Sequence, residues 1–456
     1  MKTRTVPSLS AAPALSTRGQ KALARPPLLR CSLFECLYGS ETAPLGLLNL
    51  GVAENSLCVD WLAAHFERNF KLEYTDLSTY GSALTGSTRL FAALRHLYSA
   101  YFDARIPVEP SHIITGAGCS AVIDSLVSVI ADPGDGILVA KPFYNGFSAS
   151  FGCRNEVLAV GVDIPAGKEA SVESLACFER TLAESEARGV RIRAVMVCNP
   201  HNPLGFCYSR EVLLAHCAFA EAHDLHLICD EIYALSTFPT PNSDSIPFTS
   251  VLSLDVLAEA ACNPARVHQV YSASKDFGAN ALRLGVLVSQ ANPDLHTAME
   301  SSCLLMKISS AADVCWSSLL LDSVALPTYL ALNRSRLSSA YSRATTFLSF
   351  HGIPYRPSNA GHFIFIDLRR LLPDHDENGM KLLDDVAREG ELAKHFLGHG
   401  VNLARGTAYS GTPGFFRLTF TLRPDYFEIG LKRLELALGL SGCPASGTAS
   451  SEGMDV

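Results

Sequence analysis

The sequence predicts an α/β protein: a large domain built on a mostly parallel sheet, with a smaller α+β domain after it. Three observations carry that expectation. Short apolar runs alternate with stretches of helical periodicity between residues 112 and 271. Each run stops at a cluster of Gly, Pro, Asn or Asp, the punctuation of a strand end. Beyond residue 310 the alternation gives way to long helical stretches around one strand pair.

Taken in order, an apolar segment at 45–52 leads into Ala53-Glu54-Asn55, followed by a helix with Trp61, Leu62, His65 and Phe66 on one face. Tyr80-Gly81 marks a loop. Ser87 or Thr88 then caps an amphipathic helix carrying Leu90, Phe91, Leu94, Leu97, Tyr98, Tyr101 and Phe102 at a 3.6-residue period. A strand at 112–115 runs into Gly116-Ala117-Gly118-Cys119-Ser120 and a helix to Ile130. Further strands at 137–140, 192–197, 225–229 and 267–271 end at Lys141-Pro142-Phe143-Tyr144, at Asn199 to Gly205, at Asp230-Glu231-Ile232-Tyr233 and at Ser272. A helical stretch at 317–350, strands at 362–367 and 415–421, and helices at 382–397 and 426–440 complete the chain. The expected division is an unstructured arm (1–26), an N-terminal segment packing on the small domain (27–50), the large domain (51–315), the small domain (316–440) and a disordered tail (441–456).

Composition narrows the function. The chain of 456 residues is 48% hydrophobic and 18% charged, enough to bury a large core. A net charge of −8 gives no basic field for nucleic acid, and no apolar run is long enough to cross a bilayer. Fourteen cysteines without a CxxC pair, several inside apolar runs, indicate free thiols in a reducing compartment and no zinc site. Cytoplasmic residence follows. The acid-free stretch with Lys2, Arg4, Arg18, Lys21 and Arg25 leaves a mitochondrial transit peptide as the alternative to a plain flexible arm.

The chemistry gathers around Ser272-Ala273-Ser274-Lys275, with Arg283 eight residues after the lysine. Lysine forms Schiff bases with carbonyl compounds once its pKa is lowered. Two hydroxyls and a guanidinium donate to phosphate oxygens. A carbonyl compound bearing a phosphate describes pyridoxal 5'-phosphate; the alternative is a surface lysine in a Ser-rich turn. Such a cofactor needs a carboxylate on its pyridine nitrogen, for which Asp230 is the candidate, unless it only caps a helix. Asn202 and Tyr233 can hold the ring's phenolic oxygen, although Asn-Pro pairs also mark plain turns. Gly118, Cys119 and Ser120 open a helix whose free N–H groups favour a phosphate, completed by Ser272, Ser274 and Arg283. Tyr144 can stack on the ring, or be core. Arg417, inside an apolar strand, suits a substrate carboxylate or an internal salt bridge. These groups all follow strands, where α/β sheets bind ligands, or lie on the small domain.

Together these residues resemble the fold-type-I pyridoxal phosphate enzymes of the class I/II aminotransferases, in the branch named for 1-aminocyclopropane-1-carboxylate synthase with its fungal relatives. The resemblance rests on Ala53-Glu54-Asn55, Tyr80-Gly81, Pro-Phe-Tyr-x-Gly-Phe around Tyr144, Asn-Pro-x-Asn-Pro-Leu-Gly, Asp-Glu-x-Tyr, Ser-x-Ser-Lys-Asp-x-Gly and Pro-Gly-Phe-Phe-Arg, in family order over residues 45–420. It implies that Lys275 bonds the cofactor and moves the Cα proton, with Asp230 and Tyr233 sharing the catalytic work. It further implies cofactor contacts from Gly118, Cys119, Ser120, Tyr144, Asn202, Ser272, Ser274 and Arg283. Substrate contacts would come from Ala53, Glu54, Arg417 and Tyr80, the last supplied across a homodimer interface.

The expected activity is transamination between an α-amino acid and a 2-oxo acid, in specialised metabolism. The alternative is elimination: carbon–sulfur lyase action, or cyclopropane formation from S-adenosylmethionine. Lys275 and Asp230 serve both, because each begins by removing the Cα proton. A cofactor-binding transcription regulator is a third reading, disfavoured because fewer than 50 residues precede the fold and carry no helix-turn-helix pattern.

Overall fold

The computed structural model describes residues 15–23, 37–39, 43–240 and 245–445. Its first strand, β1 (Leu48–Asn49), belongs to the C-terminal half of the fold. The large sheet holds β2 (Ile113–Gly116), β3 (Gly136–Ala140), β4 (Leu158–Val162), β5 (Ile192–Cys198), β6 (His226–Asp230), β7 (Val267–Ser272) and β8 (Gly285–Val288) in the order β2-β8-β7-β6-β5-β3-β4. Its pairings are parallel except at β8, which runs antiparallel to both β2 and β7.

The sheet is covered on both faces, which explains why its strands read as continuous apolar runs. Every residue of β3 is buried. Leu138, Val195 and Leu227 join one hydrophobic cluster, while Ile137, Ala194 and Ile228 join the other. The Ser87 hydroxyl caps helix Thr88–Tyr101 as expected, accepting from Leu90 N at 3.0 Å. Two strands of this sheet were not expected. β4 lies at a sheet edge and is mostly half-buried, and β8 has only four residues.

The stretch expected as one helix over 317–350 is two, Ser310–Leu320 and Ala325–Phe350, bent by 86°. Asp322 Oδ1 accepts from Val324 N and Ala325 N, capping the second helix, and Pro327 sits in its first turn where a missing N–H costs nothing. The smaller α+β unit holds β9 (Tyr355–Arg356), β10 (Phe363–Asp367), β11 (Val401–Asn402), β12 (Ala404–Arg405) and β13 (Phe415–Thr419). Four of them form an antiparallel sheet in the order β12-β13-β10-β9, with β13 paired to β10 so that Arg417 faces Phe365. Helices Asp385–Gly398 and Pro424–Ala437 accompany it.

β1 pairs in parallel with β11, and the Arg433 guanidinium donates to the carbonyls of Pro44 and Gly46. Of the arm expected at 1–26, only 15–23 lies within the described residues. There the chain is not irregular: Thr17–Leu23 forms a helical turn held by an ion pair of 2.6 Å between Lys21 and Glu156. Of the tail expected at 441–456, residues 446–456 lie outside the described residues.

Candidate active site

The carboxyl ends of the parallel strands bring the expected groups to one rim. β7 ends at Ser272, and the short turn Ala273–Asp276 carries Lys275. Lys275 Nζ donates to Ala53 O at 2.6 Å. Burial first, then the Arg417 cation, lowers its amine to a pKa of about 8. A lysine poised there is partly neutral at ordinary pH and can act as a base or nucleophile.

Asp230 ends β6 and is 4% exposed. Ile232 N donates to its Oδ1 at 3.2 Å, but among the described residues no cation pairs with it. Burial therefore pushes its carboxyl up to about 7. Tyr233 is fully buried, with His362 and Phe363 packed edge-on at 5.1 and 5.4 Å. Tyr144 is half-buried after β3; a side chain on Gly146 would meet its ring at 2.3 Å, so glycine there lets the ring fold back.

Arg417 enters from β13 and is 4% exposed. Among the described residues it is in no salt bridge, the alternative its sequence left open: Nη1 donates to Asn202 Oδ1 at 2.9 Å and Nη2 to Gly51 O at 2.6 Å. Its guanidinium carbon lies over the rings of Phe363 and Tyr409 at 4.7 and 4.9 Å. All these partners are neutral, so the full positive charge is kept for a ligand.

Lys275, Arg417, Asn202, Tyr233, Tyr144 and Ala53 open into one cavity of about 490 Å³. Lys394 and Arg405 also line it, and among the described residues no acid does. Such a cavity suits an anionic ligand.

Beside it lies an anion cradle. Gly118, at φ +86°, precedes helix Cys119–Ile130, whose first N–H groups have no helical partner. A Cβ at Gly118 would lie 2.0 Å from Arg283 Nη2, so only glycine admits the guanidinium against this helix end. The Ser272 hydroxyl donates to Leu284 O at 2.7 Å and accepts from Ser274 N at 3.1 Å, which ties both serines to the Arg283 segment. Cys119 is buried and Ser120 exposed at the helix start. A buried amine, an unpaired buried carboxylate and a separate phosphate-type cradle fit a pyridoxal phosphate molecule.

Two expected contacts stand apart. Glu54 is exposed and does not line the cavity, acting on Lys275 only as a charge that raises its pKa. Tyr80 is 73% exposed, and its own chain does not bring it to the cavity. Sequence reasoning missed Phe363 and Tyr409 against Arg417, because aromatics in and beside strands read as core.

Residues 48–434 match the family model described as aminotransferase class I and II. The chain belongs to that family. This aminotransferase is 35% identical over 406 residues to the "Probable aminotransferase gliI" of Aspergillus fumigatus, covering 87% of this chain and 90% of that one. It is 30% identical to the human "1-aminocyclopropane-1-carboxylate synthase-like protein 1", covering 88% of this chain and 78% of the other. Among solved structures it superposes on a Thermus thermophilus aspartate aminotransferase tetra mutant complexed with tryptophan. The TM-score is 0.71 at 20% identity, over 93% of this chain and all of that one. The enzyme is a pyridoxal-phosphate-dependent aminotransferase of the type I fold, acting on an α-amino acid.

Proposed function

We propose that this enzyme moves an amino group between an α-amino acid and a 2-oxo acid as a homodimer, in specialised metabolism. The observation that carries the reading is that the Lys275 amine and the Arg417 guanidinium open into one cavity, lined by no acid among the described residues. Several relatives, including the A. fumigatus and Aspergillus oryzae proteins, carry the word aminotransferase in their names.

When bound, pyridoxal phosphate supplies an electron-withdrawing ring that accepts charge from the substrate Cα. Asp230 would hold its ring nitrogen protonated, Asn202 and Tyr233 its phenolic oxygen, and Tyr144 its ring face. Gly118, Cys119, Ser120, Ser272, Ser274 and Arg283 would bind its phosphate. Lys275 would anchor its aldehyde carbon and, once freed, take the Cα proton; a pKa of about 8 suits that task. Arg417 would hold the α-carboxylate. Tyr80 would serve the partner's site: Tyr74, Leu77 and Tyr80 are 82%, 74% and 73% exposed, an apolar edge suited to contact with a second copy.

The test is to incubate the holoenzyme with an amino-acid panel, with and without 2-oxoglutarate. A new amino acid formed only with the 2-oxo acid supports the reading. Release of ammonia with pyruvate, or of a thiol, in the absence of a 2-oxo acid would replace it with elimination.

A further inference from the structure

We propose that Tyr409 is a further substrate-positioning residue: with Phe363 it flanks the Arg417 guanidinium and holds it aimed at the substrate carboxylate. The inference rests on reading Arg417 as the carboxylate anchor.

Tyr409 ends the tight turn Gly406–Tyr409, is 2% exposed, and lines the same cavity as Arg417 and Lys275. The Arg417 guanidinium carbon sits 4.9 Å from the Tyr409 ring centre and 4.7 Å from that of Phe363. A buried arginine is usually oriented by a carboxylate, which would also cancel the charge the substrate must find. Here orientation comes from two ring faces and two neutral oxygens, those of Asn202 and Gly51. Ring faces attract a cation most strongly when water is excluded, as at this site.

The turn that carries the ring is held from two sides. Phe143 N, next to Tyr144 on the large domain, donates to Tyr409 O at 2.9 Å. From helix Asp385–Gly398, the buried Glu389 carboxylate accepts from Thr407 N at 3.3 Å, from Gly414 N at 3.2 Å and from the Thr407 hydroxyl. The turn carrying Tyr409 is thereby fastened at both ends. A preorganised partner holds Arg417 without ordering it anew at each encounter.

The experiment titrates the holoenzyme with propionate, a carboxylate without an amino group, and follows the absorbance of the bound cofactor. Steady-state kinetics with the best amino acid run alongside. Y409F keeps the ring and is expected to bind propionate within about 2-fold of wild type, whereas Y409L keeps bulk without the ring face and weakens binding about 10- to 30-fold. KM rises with it, kcat changes less than about 3-fold, and cofactor content is unchanged. Y409L binding as tightly as wild type, while R417A binds poorly, overturns the role of Tyr409 and leaves the anchor standing. R417A binding as well as wild type overturns the anchor itself, and the Tyr409 inference with it.

Discussion

Arg417 Nη1 donates to Asn202 Oδ1 at 2.9 Å, joining β13 of the small sheet to the loop that leaves β5 of the large one. On the proposed reading, Asn202 lies between the groups that hold the cofactor and the arginine that holds the carboxylate, and its neutral amide leaves the Arg417 charge uncancelled.

Asn202→Asp would turn that bond into a buried ion pair that competes with the substrate. A hydrogen bond to a charged group is worth about 1.5–3 kcal/mol. Asn202→Ala should therefore raise KM about 10-fold or more, and Asn202→Asp further still. A KM for Asn202→Asp equal to that of wild type would refute the arrangement.

The depressed pKa of Lys275 fixes a pH dependence. The neutral amine is the reactive form, so labelling of the apoenzyme at Lys275 should rise with pH and level off above about 8. An ordinary lysine would keep gaining reactivity towards pH 10.5. Peptide mapping after brief trinitrophenylation at several pH values reads this directly, with Lys275→Ala as the blank.

Gly118→Ala should loosen the cofactor, since its methyl would occupy the place of Arg283 Nη2 and its φ of +86° strains any side chain. Moving one charge-assisted donor away from a phosphate costs roughly 1.5–3 kcal/mol, a ~10- to 100-fold weaker Kd by equilibrium dialysis. Unchanged retention would show that Arg283 does not face the phosphate.

Asp276 follows Lys275 but points elsewhere, accepting from Ser236 Oγ at 2.6 Å, Leu235 N at 2.9 Å and Tyr271 OH at 2.8 Å. Burial raises its carboxyl from 3.8 to about 7. A folded pKa above the unfolded one means its stabilising contribution is complete below the unfolded value and is lost as pH rises through the folded one. Measured by urea unfolding, Asp276→Asn should gain on wild type between about pH 4 and 7, from the unfolded value to the folded one. A stability difference independent of pH across that range would contradict it.

Much of the site was legible because parallel strands are apolar along their length and turn polar only at their ends. Asp230, Asn202 and Lys275 each stand just past such a run, and the structure gathers them at one rim. Arg417 was legible for the opposite reason, as a charge where the pattern demands none. Phe363 and Tyr409 look like ordinary strand and turn aromatics, and only proximity to a guanidinium gives them a role. The sequence also ran the helices on either side of Asp322 together, because the capping carboxylate in between reads as one more polar residue.

β8 runs against its neighbours, so that Gly285 pairs with Ser272 and the chain returns to the rim it has just left. One short loop, 273–284, therefore carries both the lysine and the arginine proposed as the covalent and ionic grips on the cofactor. The two cannot be released separately by local unfolding: fraying of this loop would free both ends of the cofactor at once. Amide exchange across 273–284 should slow steeply on cofactor loading, and a protease that nicks the loop should yield colourless enzyme rather than a half-held intermediate.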